Sequence, residues 1–83
     1  MNVLEITRSH VDKDSNDILI ITASLKSAEN KFYYLVKDYL SECVSKYGRC
    51  IKLKDGSHIY VQPISSLNTW VRGRKFKTIR FES

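Results

Sequence analysis

Six residues near the start of the chain, ILIITA at 18–23, constrain the fold more than any other stretch. They form an unbroken apolar run rich in β-branched side chains, with no polar residue at alternate positions. A strand of this kind has no face to give to water, so it lies centrally in a sheet or is covered on both sides. With 83 residues, one such sheet is all the chain can build, because a domain of this size buries only roughly 60% of the surface its unfolded chain exposes. Residues 1–83 are therefore expected to form a single domain.

The element beside that strand is SAENKFYYLVKDYLSECVSKYG, residues 27–48. Phe32, Leu35, Val36, Tyr39, Leu40, Cys43, Val44 and Tyr47 follow one another in steps of three and four, apart from adjacent pairs on the same stripe, which predicts an amphipathic helix. Ser27 suits the N-cap, Lys46 the negative end of the helix, and Gly48 the left-handed position after it. After the helix, RCIKLKDGSHIYVQP predicts a hairpin around Asp55-Gly56, a preferred pair for a two-residue type I′ turn. Ile51, Leu53, Ile59 and Val61 point to one face; Lys52, Lys54, His58 and Tyr60 point to the other. Pro63 closes the second arm. A loop over 64–73 then leads to a last strand near 75–82, and NVLEITR at 2–8 is expected to add a first strand before the polar turn VDKDSND. The expected class is α+β, in the order β-β-α-β-β-β, with one helix packed on one sheet. The other face of the sheet, or an exposed edge, is where a second copy or a ligand is expected to dock.

Apolar residues at 42% and charged residues at 28% describe a folded globule and exclude a disordered chain. No apolar run approaches a membrane span, and MNVLEITRSH lacks the basic-then-apolar order of a secretory leader. Two cysteines are too few for the disulfide framework of a small secreted domain. A soluble cytoplasmic protein is the expectation. Small cores often recruit a second chain, so a homodimer is expected as well.

Charge is where function shows. The chain carries 14 Lys and Arg against 9 Asp and Glu, net +5, and the excess gathers late. VRGRKFKTIRFES, at 71–83, holds Arg72, Arg74, Lys75, Lys77 and Arg80 against the single acid Glu82. Arg49, Lys52 and Lys54 add to it from the hairpin. Such a field is the footprint of a protein that meets a polyanion. Arginines offer forked donors to phosphate oxygens, and Trp70, with Tyr33 and Tyr34, offers flat surfaces for unpaired bases. The candidate nucleic-acid contacts are thus Arg72, Arg74, Lys75, Lys77, Arg80, Lys52, Lys54, Arg49 and Trp70. The helix balances three lysines against Glu29, Asp38 and Glu42, which argues against its lying in a major groove, so RNA or another single strand is favoured over duplex.

Catalytic readings are weaker. His58 sits on the polar side of the hairpin and His10 in a turn, with no nucleophile spelled out beside either. Cys43 and Cys50 do not make a zinc set, and Cys43 falls on the apolar stripe. Asp12, Asp14 and Asp17 lack the glycine and final glutamate of a calcium loop. No enzyme activity, metal or cofactor is expected.

From residue 18 onward the chain resembles part of the ATPase motor of phage terminase large subunits and related P-loop helicases. The residues that carry the resemblance are ILIITASLKSAENKFYYLVKDYL, DGSHIYVQP and VRGRKFKTIRFES, in that order. In that family a buried strand ends in a small polar loop and starts a helix. A Gly-Ser hairpin follows, and an Arg-Gly pair with an aromatic residue leads into the acidic Walker B strand. Arg72, Gly73 and Phe76 stand at the matching places, and Glu82 where the family has its metal-linked acid. The chain departs from the pattern in having no G-x-x-x-x-G-K-[ST] loop, and Ser83 stands where a second acid would be. A lone carboxylate does not both hold a metal and activate water, so the resemblance implies a motor-derived scaffold without nucleotide hydrolysis.

The expected function is a non-enzymatic, basic nucleic-acid-binding module. A small phage accessory protein that neutralises a host nuclease, toxin or defence factor, working in the host cytoplasm, fits that description. The alternative is a protein-binding inhibitor or adaptor whose basic face engages an acidic site on its partner.

Overall fold

The computed structural model describes residues 9–82. The chain runs β1 (Ile18–Thr22), α1 (Leu25–Asp38), β2 (Cys43–Tyr47), β3 (Cys50–Leu53) and β4 (His58–Pro63). A 3₁₀ turn (Ile64–Ser66), the one-turn helix α2 (Leu67–Trp70) and β5 (Thr78–Glu82) complete it. The class is α+β, as expected. The strands form one sheet in the order β2-β3-β4-β1-β5. β1 is parallel to both its neighbours, β4 and β5, whereas β2, β3 and β4 pair antiparallel.

The two parallel crossovers run in opposite directions across the sheet. The first leaves β1 and reaches β4 on one side; the second leaves β4 and passes β1 to reach β5 on the other. Crossovers that share one hand but reverse direction lie on opposite faces. Each face therefore has its own cover. Between α1 and the sheet, Ala28 and Leu35 of the helix pack on Ile20, Ile51, Ile59 and Val61, all buried, flanked by Phe32, Val36, Tyr39 and Leu53. Against the other face, α2 and the segment after it bury Leu67, Val71 and Phe76 on Leu19 and Ile21, with Tyr60, Trp70 and Ile79 at the margin. β1 supplies alternate residues to both clusters, which is why its sequence shows no polar period. The expectation that the second face is open for a ligand or another copy is corrected in part: over β1 it is covered from within the chain.

Several local expectations also change. The helix stops at Asp38, and the segment expected to be its last two turns is β2. Tyr39 leaves the helical region at ψ 23, and Cys43, Ser45, Lys46 and Tyr47 pair with β3 instead, with Val44 at a register irregularity between Cys43 and Ser45. Leu40, Val44 and Tyr47, expected on the buried stripe, are exposed, Tyr47 by 91%. A run of apolar residues at 43, 44 and 47 fits a helical stripe and a short strand alike, and strand pairing satisfies its backbone groups here. Gly48 does take a positive φ, of 59, but as the first residue of the two-residue turn between Tyr47 and Cys50.

The N-cap is Ser24, in extended geometry, with its hydroxyl accepting the Ser27 N–H at 3.1 Å. Ser27 is the third helical residue and shares a hydroxyl hydrogen bond with Ser24 at 2.9 Å.

The hairpin between β3 and β4 is one residue longer than a type I′ loop. Leu53 N–H reaches Ser57 O at 2.9 Å, and Gly56 N–H reaches Leu53 O at 3.0 Å. Gly56 alone in that turn has positive φ, whereas a type I′ turn would need Asp55 to share it. Asp55 instead accepts from the Ser57 N–H and hydroxyl, at 2.8 and 2.6 Å.

The expected loop at 64–73 contains the 3₁₀ turn and α2, because Leu67 and Val71 fall one helical turn apart and share the core. Regular strand structure in β5 begins only at Thr78. Phe76 bridges to Val11 before it, which frees Phe76 from the alternation of the strand and lets it enter the same cluster as Ile79. The strand expected at 2–8 lies outside the described residues. No helix among the described residues is long and apolar enough to cross a membrane.

Candidate nucleic-acid interface

The turn between β2 and β3, Gly48-Arg49, folds beside the face that carries α2. Between them is a cleft of about 340 Å³ lined by Tyr47, Gly48, Arg49, Cys50, Tyr60, Gln62, Trp70 and Arg74. Three of the sequence candidates meet here: Arg49, Arg74 and Trp70.

Both guanidinium groups are fixed from behind. Arg49 Nε donates to Val61 O at 3.2 Å and Nη2 to Gln62 Oε1 at 3.2 Å, and the Val61 N–H returns to Arg49 O at 2.9 Å. Arg74 Nε donates to Trp70 O at 2.9 Å. Its guanidinium carbon lies 4.4 Å from the Trp70 ring centre and 5.5 Å from that of Tyr60. The Trp70 ring stacks on the buried Phe76 at 5.7 Å and meets Tyr60 edge-on at 5.1 Å. Arg74 is thus held through Nε and its flat face, and Arg49 through Nε and one Nη2 hydrogen, which leaves their remaining Nη hydrogens for a ligand. The conformational entropy of two long side chains has already been lost before anything binds.

The cleft has no carboxylate in its lining. Two weak acids of the lining are shifted upward. Burial pushes the Cys50 thiol up from its ordinary value, opposed by a hydrogen bond with Tyr60 and by the Arg74 charge, and desolvation pushes the Tyr60 phenol up as well. The Asp17 charge raises both groups as well, and that carboxylate is paired with His58, so no acid in the lining pairs with either guanidinium.

The remaining candidates are scattered. Arg72 is exposed in the bend after α2. Lys75 is exposed but directs Nζ to Ser9 O at 2.7 Å. Lys77 borders a separate depression with Asn16, Leu53, Asp55 and Ser57 at the opposite end of the strands. Arg80 pairs with Ile20 in the sheet register and so projects toward the α1 side. Lys52 lies on β3 two residues beyond Cys50, on the same face as the cleft, and Lys54 sits in the hairpin loop near Glu42 and Asp55. The C-terminal cations do not form one patch. They are also not neutralised by the acidic turn: among the described residues the ion pairs are Lys31–Glu82 and His58–Asp17.

Those two pairs occupy the groups that a catalytic reading would need. Glu82, where the terminase resemblance has a metal-linked acid, meets Lys31 Nζ at 3.3 Å through Oε1 and 3.2 Å through Oε2. The second oxygen is buried and has no aligned donor despite that short approach. Asp17 Oδ1 accepts both the His58 N–H at 3.0 Å and the ring Nδ1–H at 3.1 Å, tying the start of β4 to the chain entering β1. His10 Nδ1 reaches Arg74 O at 3.0 Å and so acts on the main chain. Cys43 and Cys50 are free thiols. Among the described residues no group of three or more His, Cys, Asp or Glu side chains could hold a metal ion.

Tyr47, Tyr60, Gln62 and Cys50 were not picked out by sequence as site residues. The alternation of β4 already sends Tyr60 and Gln62 to one face together, away from Ile59 and Val61. Tyr47 becomes visible only once residues 43–47 are read as a strand. Comparison with protein-family models, curated proteins and solved structures finds no match.

Proposed function

We propose that this protein is a non-enzymatic module that binds single-stranded nucleic acid, RNA foremost, through the cleft between the β2–β3 turn and α2. One observation carries the reading: two guanidiniums, each anchored to a main-chain carbonyl, share an acid-free cleft with Trp70, Tyr60 and the exposed ring of Tyr47. Fixed cations beside aromatic faces are what a phosphate and its unpaired base require. The volume, at the low end for a ligand site, suits one nucleotide better than a duplex. α1 supports the preference, since its inner face is packed on the sheet and leaves no free helix to enter a groove.

Fluorescence anisotropy with a labelled single strand and its duplex tests this. The single strand is expected to bind more tightly, and Arg49→Ala or Arg74→Ala to weaken it by on the order of tenfold each, the scale of a lost charge-assisted contact. Arg80→Ala, on the other side of the sheet, is the control and should leave binding within about twofold. Equal affinity for duplex, or arginine variants that bind like the native chain, would overturn the proposal.

A second reading, an adaptor for an acidic protein partner, draws on the exposed Tyr33–Tyr34 pair of α1, with Lys37 Nζ 4.7 Å from the Tyr33 ring centre. It becomes the better account if the native chain binds no oligonucleotide.

A further inference from the structure

Resting on the single-strand reading, we infer that the cleft selects a strand end that carries a terminal phosphate monoester over the internal phosphodiesters of the same strand. Three features of the cleft point there: the direction of its hydrogen bonds, its charge, and its size.

Gln62 is 8% exposed, and its amide orientation follows from Arg49. A guanidinium has donors only, so the contact at 3.2 Å requires the amide oxygen to face Nη2 and turns the Nε2 hydrogens away from it. Among the described residues Nε2 has no protein acceptor. The side chain lines the cleft together with Arg49 and Arg74, so its NH₂ group joins their outer Nη hydrogens as a third donor. The polar lining is arranged to surround an acceptor.

Charge then decides which acceptor. Two permanent cations line a cleft whose wall holds no carboxylate, and Asp17, the acid whose charge reaches Cys50 and Tyr60, is paired with His58. A phosphodiester brings one negative charge and leaves one guanidinium uncompensated. A phosphate monoester, with a second pKa near 6, brings nearly two at neutral pH and three terminal oxygens for the fork-shaped donors.

Size favours an end for a separate reason. The space is bounded on one side by the Tyr47-Gly48-Arg49 turn and on the other by Trp70 and Arg74 of the α2 region. A volume of about 340 Å³ matches one nucleotide, and a terminal nucleotide fits whole where a continuing strand must also find room for its next residue. The last base lies against Tyr47 or Trp70, and its phosphate lies between the arginines.

The test uses the native chain and one internally labelled oligonucleotide sequence in three forms: 5′-phosphorylated, 3′-phosphorylated and with hydroxyls at both ends. At least one phosphorylated form is expected to bind on the order of tenfold more tightly than the hydroxyl form, the scale of one additional charge-assisted contact. Gln62→Glu places a carboxylate among the donors and should abolish that preference. Gln62→Ala removes the amide donor together with the acceptor that holds Arg49 Nη2 and should reduce the preference, which covers the case in which the glutamate variant is unfolded by circular dichroism. Adenosine monophosphate serves as competitor and is expected to displace the phosphorylated strand only at much higher concentration. Competition at equal concentration would show that a free mononucleotide is the occupant and would overturn the strand-end assignment. Equal affinity for all three oligonucleotides would overturn it too, yet leaves single-strand binding standing if Arg49→Ala still weakens every form. Failure of all three to bind removes both proposals.

Discussion

Cys50 shows how much a single residue's meaning depends on its neighbours. In the sequence it is an isolated thiol with no metal-binding spacing, and a small buried hydrophobe is all that its type suggests. In the fold it stands in the cleft wall, its thiol pushed above the ordinary value chiefly by burial. A group that must lose a proton to react, and whose deprotonation burial opposes, reacts slowly near neutral pH and faster as pH rises toward its shifted value. Alkylation by iodoacetamide, followed by mass spectrometry, is expected to mark Cys50 more slowly than an exposed peptide thiol at pH 7.5, with the gap closing at higher pH. A bound oligonucleotide should slow Cys50 further and leave Cys43, outside the cleft, at its own rate. Unchanged Cys50 labelling under saturating oligonucleotide would place the ligand elsewhere. Arg49, Arg74 and Trp70 were legible as candidates from residue type alone. Their separation from Lys77 and Arg80 was not, because strand register decides which end and which face a charge reaches.

At the level of elements, β1 was the most legible because a run with no polar period has only one environment open to it. α1 was legible in its existence and wrong in its limits. Its stripe continues in sequence through Tyr47, and nothing local tells a helical step of four from two residues of a strand on one face. The competing partner was β3, a long-range interaction that periodicity does not contain. The start of the helix has a direct test. Ser24 accepts the Ser27 N–H, so Ser24→Ala is expected to cost about 1 kcal/mol of stability by urea unfolding. Ser27→Ala leaves that acceptor in place and should cost less. The reverse order would return the cap to Ser27. In the β3–β4 hairpin, Asp55-Gly56 was rightly read as a turn and wrongly as a type I′ one, since the Ser57 N–H and hydroxyl draw the Asp55 carboxylate into a longer loop. Those same hydrogen bonds hold the Asp55 carboxyl below its usual value, so they favour the hairpin above the ordinary carboxylate range and cease to do so as pH falls through the lowered value.

For the whole molecule, the arrangement follows from two crossovers that reverse direction about β1. The reversal puts α1 over one face and α2 over the other, and it leaves β2 and β5 as edges. It also brings the turn after β2 beside the helix that follows β4, and the cleft is the space between them. Sequence could supply the basic excess, but the cleft requires the register that sets Arg49 against Val61 and Gln62. Because the chain has one tryptophan and it lines that cleft, intrinsic fluorescence observes the site without a label. The central measurement is a titration of Trp70 emission with a phosphorylated single-stranded oligonucleotide over a range of salt. Saturable quenching is expected, weakening with salt at a logarithmic slope of about −1.4 for two phosphate-neutralising arginines, and by about 0.7 less in Arg74→Ala. Oligonucleotide binding, detected by anisotropy, that leaves Trp70 emission unchanged would contradict the assignment of the cleft.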